Sequence, residues 1–419
     1  MSATANQLRR ALVALCVTEI TSWGTLYYAL PAMVSPLSRS TGWPLTVITA
    51  AFSGGLVVSA IAGIGVGRLL DRYGPRVVMS TGSVVGTAAL LAVAAAPSLP
   101  WFFAAWALAG LGQSALLYPP AFAALTRWYG PRRVRALTAV SLVAGLASTV
   151  FAPLTAFLVA RAGWRTTDVI LAAVLCAVTL PLHAFLLTAP WPGAPARPAR
   201  ERPASRKRSA SQERPAVRKR DAGPVREVLR RPAFAVLTVA MVLGAFGLYG
   251  ATVDLPALLT SSGTGNGVAA LALGLVGVGQ VCGRLGYGQI ARRTTAPVRT
   301  CAVLAAGAAT VAALALAAPV TAAVLAAAVL AGAARGNYTL VQATAVSDRW
   351  GTAMFGTING IFLAPVTLAL ALAPGGGTLL MRVAGQPRNA FLLLAAVVAL
   401  GAVLALATRT ERQAGTGIP

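Results

Sequence analysis

The sequence predicts an all-α integral membrane fold of twelve transmembrane helices in two six-helix pseudo-symmetric halves, and three observations predict it. Hydrophobic residues make up 57% of the 419 and charged residues only 11%, with a mean hydropathy of +0.73, whereas soluble chains are about 25% charged. Uncharged runs such as 303–334 exceed the roughly 20 apolar residues that cross a hydrocarbon core of about 30 Å. The apolar segments also fall into two sets of six around one hydrophilic stretch.

Charged loops and Pro/Gly breaks divide the first set into spans at 10–32, 46–67, 77–96, 101–125, 136–160 and 168–189. The second set follows at 234–259, 268–290, 300–318, 321–346, 354–380 and 389–408. Arg9 and Arg10 precede an apolar run that reaches Val34, too long for a cleaved signal, so an uncleaved first span is expected. The domains expected are a six-helix bundle at 1–189, a linker at 190–233, a second bundle at 234–408 and a tail at 409–419.

Lys and Arg set the orientation. Short loops on one side carry fifteen of them, including Arg68, Arg72, Arg76, Arg127, Arg133, Arg299 and Arg349, against five on the other. That bias places both termini in the cytoplasm. The stretch 190–232 adds thirteen Lys or Arg, four acids and eight prolines, a composition that cannot bury a core and reads as a disordered cytoplasmic linker. Attraction to anionic lipid headgroups and simple satisfaction of the orientation bias both account for its charge. The formal net charge of +25 therefore belongs to loops and linker, and nucleic acid is not an expected partner.

Cys16, Cys176, Cys282 and Cys301 lie in apolar stretches without CxxC spacing and read as small buried hydrophobes. With no metal cluster, nucleophile–base pair or phosphate loop in the pattern, neither an enzyme nor a cofactor is expected. The two halves resemble each other faintly. Arg127-Trp128 follows span 4 as Arg349-Trp350 follows span 10, and Ala152-Pro153-Leu154-Thr155 in span 5 matches Ala364-Pro365-Val366-Thr367 in span 11.

An ionised side chain at mid-bilayer costs roughly 2.5–3.5 kcal/mol, which makes each one a candidate functional group. Glu19 lies near the middle of span 1 and Arg335 near the middle of span 10. Arg284 lies toward the cytoplasmic end of span 8 and Asp254 toward the outer end of span 7, before Pro256. Glu19 and Asp254 are candidate proton carriers, because a dry interior favours the neutral carboxyl. Arg335 is too deep to snorkel and needs a partner, either Glu19 or a substrate anion; counted back from Arg-Trp it matches Gln113 of span 4. Glu19, Trp23 and Tyr27 share one helix face. His183, the one histidine, reads as a packing residue.

Between spans 2 and 3 stands Gly67-Arg68-Leu69-Leu70-Asp71-Arg72-Tyr73-Gly74-Pro75-Arg76. Gly67 permits close helix approach, Gly74 a tight reversal, and Asp71 suits a neighbouring helix N-terminus. The segment resembles the signature of the major facilitator superfamily, with Gly67, Leu69, Asp71, Arg72, Gly74 and Arg76 in matching positions and Pro75 where a basic residue is common. The matching second-half loop, Gly286 to Arg293, lacks the acid.

A finer resemblance, to prokaryotic members of the monocarboxylate and oxalate–formate branch, is carried by SWGTLYYALPAMVSPLSRSTGW, LTRWYGPRRVRALTAVSLVAGLAST and GQVCGRLGYGQIARR. The acidic-Gly-Gly-x-Gly-Trp start of the eukaryotic carriers and a lysine in span 11 are absent. The resemblance implies a secondary transporter in a bacterial cytoplasmic membrane, a monomer, moving a small organic anion by alternating access with proton coupling. It implies that the Gly67–Arg76 motif (Gly67, Asp71, Arg72, Gly74 and Arg76) gates and that Arg284 receives a carboxylate, with snorkelling to the loop the alternative for Arg284. It also places Tyr27, Tyr118, Tyr249 and Tyr338 on cavity-lining helices, where tyrosines either close over a small polar substrate or simply fill space. Proton-driven efflux of drugs or metabolites, and a non-transporting sensor, are the other readings; the Gly-rich, Gly-Pro-ending pattern of many exporters is missing from span 5.

Overall fold

Residues 4–191, 223–318, 320–352 and 354–408 are described in the computed structural model, and among them every regular element is a helix. The first set runs α1 (Ala5–Trp23), a π-helical turn (Gly24–Tyr28), α2 (Ala29–Thr41), α3 (Leu45–Ala94), α4 (Leu99–Leu116), α5 (Tyr118–Tyr129), α6 (Arg133–Gly145) and α7 (Ala147–Leu186). The short α8 (Gly223–Arg230) leads into α9 (Pro232–Val253), α10 (Leu255–Ser261), α11 (Asn266–Arg293), α12 (Ala296–Ala317), α13 (Thr321–Thr344), α14 (Ser347–Trp350), α15 (Phe355–Ala384) and α16 (Pro387–Leu406).

Local chemistry explains the boundaries. Thr4 and Gln7 form a reciprocal capping box that starts α1. Proline, which has no N–H to leave unpaired, opens α9 and α16. Gly42, at φ 75°, ends α2 in a left-handed turn. The helix expected at 10–32 runs on to Thr41 because the π-helical turn absorbs an extra residue without breaking the rod. The expected loop after Gly67 is no open loop. Helix α3 continues to Gly74, whose φ of 79° reverses the chain in one residue, and Gly163 at φ 75° does the same within α7.

Eight helical stretches are long and apolar enough to cross a membrane, judged by length and composition and with joined arms counted together. The outward faces carry side chains that water would not tolerate in such number, among them Ile61, Phe185 and Val383. Cys282 is exposed and the other cysteines are half-buried, so they are not the buried residues expected. Inside, backbones approach through glycine. A Cβ at Gly112 would lie 2.7 Å from the Gly86 Cα, and one at Gly283 would lie 2.7 Å from the Ala333 Cα. Small residues of this kind let apolar helices pack without water to drive them together.

Most of the expected linker, 192–222, and the tail 409–419 lie outside the described residues. The linker's ends are ordered, against expectation. Trp191 packs on Gly74, donates from Nε1 to the Asp71 carbonyl at 3.3 Å, and lies under the Arg127 guanidinium 4.6 Å from its ring. At the other end α8 packs on α9 and α15.

Candidate functional site

The first set meets the second chiefly where α3 and α5 pack on α15, and where α6 packs on α11 and α13. Between them lies a cavity of about 500 Å³ lined from both sets, with a smaller one of about 120 Å³ beside it. Trp23, Tyr27, Tyr118, Tyr249, Thr339 and Leu370 line both, so the two volumes share a wall.

Irregular backbone puts aromatics there. The π-helical turn presents Tyr27 and Tyr28 to the larger cavity together. Gln113 holds the turn by donating from Nε2 to the Leu26 carbonyl at 2.9 Å. Tyr118 opens α5 just after Leu117, where Pro119 and Pro120 break the rod that began as α4. Trp23, Tyr27, Tyr28 and Tyr118 pack with ring centroids 4.8–6.2 Å apart. Tyr28 was not singled out in the sequence, because a regular helix would turn it away from Tyr27.

Both arginines reach the larger cavity. Arg335, half-buried, holds its guanidinium 4.1 Å from the Tyr249 ring centroid, a cation–π contact. It forms no ion pair with any described acid, so the alternative pairing with Glu19 is not made. Arg284 is 4% exposed and donates from Nη1 to the Ser141 carbonyl of α6. Snorkelling is therefore not its role, because its charge is turned to the opposite helix set rather than to the loop. No Asp or Glu lines either cavity among the described residues.

The carboxylates lie elsewhere. Glu19 is fully buried behind the aromatic wall, and its Oε2 accepts from Trp23 Nε1 at 3.1 Å while Oε1 has no partner. Asp254 sits at the joint of α9 and α10, packed on Gly377 of α15 rather than in a wet vestibule, with Oδ2 unpartnered. Tyr338 needs a correction: it is fully buried, donates to the Met241 carbonyl at 2.6 Å, and packs α13 on α9 away from both cavities. His183 is also internal, with Nδ1 2.9 Å from Ser83 Oγ, which accepts from Thr179.

At the end bearing the basic loops, Asp71 Oδ1 accepts from the Gly356 N–H at 3.0 Å and Oδ2 from Thr357 at 2.7 Å. The carboxylate thus caps α15, where unpaired N–H groups and the helix dipole favour a negative charge by about 0.3–1 kcal/mol, up to about 2 when partly buried. Arg127 stands 3.7 Å from Asp71. Gly67 and Gly74 serve the close crossing on Gly356 and the reversal. Arg72 and Arg76 do not join this contact; both are exposed, since they point away from α15. Asp348, which the sequence reading passed over, pairs with Arg133 of the first set and Arg299 of the second. Its signal was an acid directly before Arg349-Trp350, opposite a basic loop. Asp168, 1% exposed with Oδ2 unpartnered, was also missed, because it falls at the first residue of an expected span.

A helical membrane body with a tyrosine-walled central cavity and an Asp-capped helix crossing defines the class. The sequence profile of the Major Facilitator Superfamily matches residues 15–322, and the chain belongs to that superfamily as a multi-pass membrane protein. It is similar to monocarboxylate transporter 11 of Mus musculus, at 28% identity over 277 residues, covering 65% of this chain and 56% of the relative. It is also similar to monocarboxylate transporter 13 of Bos taurus, at 27% identity over 64% of this chain and 60% of the relative. The chain thus spans little more than half the length of these relatives. In fold it resembles the Escherichia coli fucose:proton symporter, with a TM-score of 0.71, 15% identity, and coverage of 96% of this chain and 98% of the other. The human organic anion transporter gives 0.72, 16%, 95% and 99%. The family and these relatives are transporters rather than enzymes.

Proposed function

We propose that the chain is a secondary active transporter that moves a small organic anion, a mono- or dicarboxylate, by alternating access with proton coupling. The observation that carries the reading is the pairing of Arg284 and Arg335 in a cavity between the two helix sets, with no carboxylate in its described lining. A permanently charged guanidinium without a fixed acid partner suits an anion that comes and goes. The monocarboxylate relatives point the same way.

The twelve-span, two-bundle arrangement supplies the motion. The Asp71–α15, Arg133–Asp348 and Arg284–Ser141 contacts all join the sets at the basic-loop end. Breaking them opens the cavity to that side, which the positive-inside bias makes the cytoplasm of a bacterial inner membrane, with both termini inside. Glu19 takes the proton, since Trp23 links it to the cavity wall, and the carrier works as a monomer in the bilayer.

The test is carboxylate uptake by the full chain in proteoliposomes. Arg335→Gln should weaken apparent affinity about ten- to a hundredfold, the worth of a charge-assisted hydrogen bond, while melting as the parent does. Unchanged uptake in that variant would remove the centre of the reading.

A further inference from the structure

The two cavities differ in chemistry, and the difference speaks to the substrate. The larger one holds the arginines, but Arg284 is almost inaccessible and already bonded to the Ser141 carbonyl. Among the described lining residues this leaves Arg335 as the accessible cation of the site, enough for one carboxylate. The smaller cavity has a mainly apolar wall in which Leu56, Ala60, Phe122, Leu363 and Ala364 are prominent. Several of its polar groups are already engaged: Ser114 donates to the Leu111 carbonyl, Thr339 to the Arg335 carbonyl and Gln113 Nε2 to the Leu26 carbonyl, while Gln113 Oε1 is buried without a partner. Its volume of about 120 Å³ approaches the roughly 150 Å³ in which an apolar protein cavity holds benzene. Trp23, Tyr27, Tyr118 and Tyr249 line both spaces, so the two lie side by side across one aromatic wall.

We propose that the substrate is a monocarboxylate with an apolar tail about the size of a phenyl ring, its carboxylate at Arg335 and its tail in the side cavity against Phe122 and Ala364. This rests on the anion reading above and narrows it, setting aside dicarboxylates and the shortest acids. Tyr118, stacked on Phe122 with centroids 4.7 Å apart and ring planes 10° from parallel, forms the flat wall between head and tail.

The experiment is competition in proteoliposomes containing the full chain, with labelled 3-phenylpropionate as the probe and acetate, succinate and neutral 3-phenylpropionamide as competitors. The expected order is 3-phenylpropionate at least about tenfold tighter than acetate, from burial of the ring, with succinate no tighter than acetate and the amide inactive. Ala364→Leu should fill the side cavity, bringing 3-phenylpropionate down toward the level of acetate and weakening acetate far less. Acetate or succinate binding as tightly as 3-phenylpropionate overturns the tail assignment and leaves the anion reading standing. Equal losses for both acids in Ala364→Leu also overturn it. Strong competition by the amide, or no binding of any carboxylate, overturns the anion reading itself. The ligand order on the unmodified protein decides the matter even if the variant does not fold.

Discussion

At the scale of single residues, the arginines and carboxylates divide by access. Arg335 faces the cavity over Tyr249, whereas Glu19 lies behind Trp23 with one oxygen bonded and the other unpartnered. If Glu19 couples transport to protons, Glu19→Gln, which keeps the shape and one polar partner for Trp23, should abolish accumulation driven by a proton gradient. Exchange of substrate for substrate should survive within about twofold. Equal loss of both activities would assign Glu19 to the packing of α1 alone. The sequence showed these groups as isolated charges in apolar runs. It did not show that Glu19 and Arg335 stay apart, because pairing depends on which faces of α1 and α13 meet the cavity.

Among elements, the crossings of α3 with α4 and of α11 with α13 rely on missing side chains. Cβ atoms at Gly55 and Gly82 would meet α4, and Gly279, Gly283, Gly332 and Gly336 leave no room between α11 and α13. The same device in both helix sets agrees with the internal likeness of the sequence. Gly283→Leu should force these helices apart at a cost of about 1–3 kcal/mol, lowering the melting temperature in detergent by several degrees, whereas Gly286→Leu, facing open space, should be neutral. Equal effects from the two would mean that α11 and α13 do not pack as described. Helix interruptions were only partly legible. Pro119-Pro120 and Pro256 announce the breaks at Leu117 and Asp254, but nothing in Gly24-Thr25-Leu26-Tyr27-Tyr28 announces a π-helical turn, which Gln113 of another helix holds.

For the whole molecule, the proposed gating contacts between the helix sets lie at the basic-loop end. Asp71 caps α15, Asp348 bridges Arg133 and Arg299, and Trp191 anchors the start of the linker beside Asp71. Asp71→Asn keeps the side-chain shape and removes the charge at the helix N-terminus, a loss of about 1 kcal/mol. It should shift the population toward the state open at that end by roughly fivefold. A cysteine introduced at Ser148, on the cavity wall, should then react faster with a reagent supplied from the basic-loop side. No change in that rate would show that Asp71 holds a helix in place without setting the conformational balance.

The amino-acid sequence by itself determined the membrane solvent, the helical class, the superfamily motif and the four isolated charges Glu19, Asp254, Arg284 and Arg335. These follow from composition, run length and local spacing, which each segment carries alone. Tertiary structure decided that Tyr28 joins the cavity and Tyr338 leaves it, that Asp348 bridges the two helix sets, that Arg284 turns to Ser141, and that an apolar chamber adjoins the charged one. Each of these depends on helix rotation and on partners distant in sequence. In an apolar chain such rotations leave little trace, because the lipid-facing and protein-facing sides of a helix are built from the same residues.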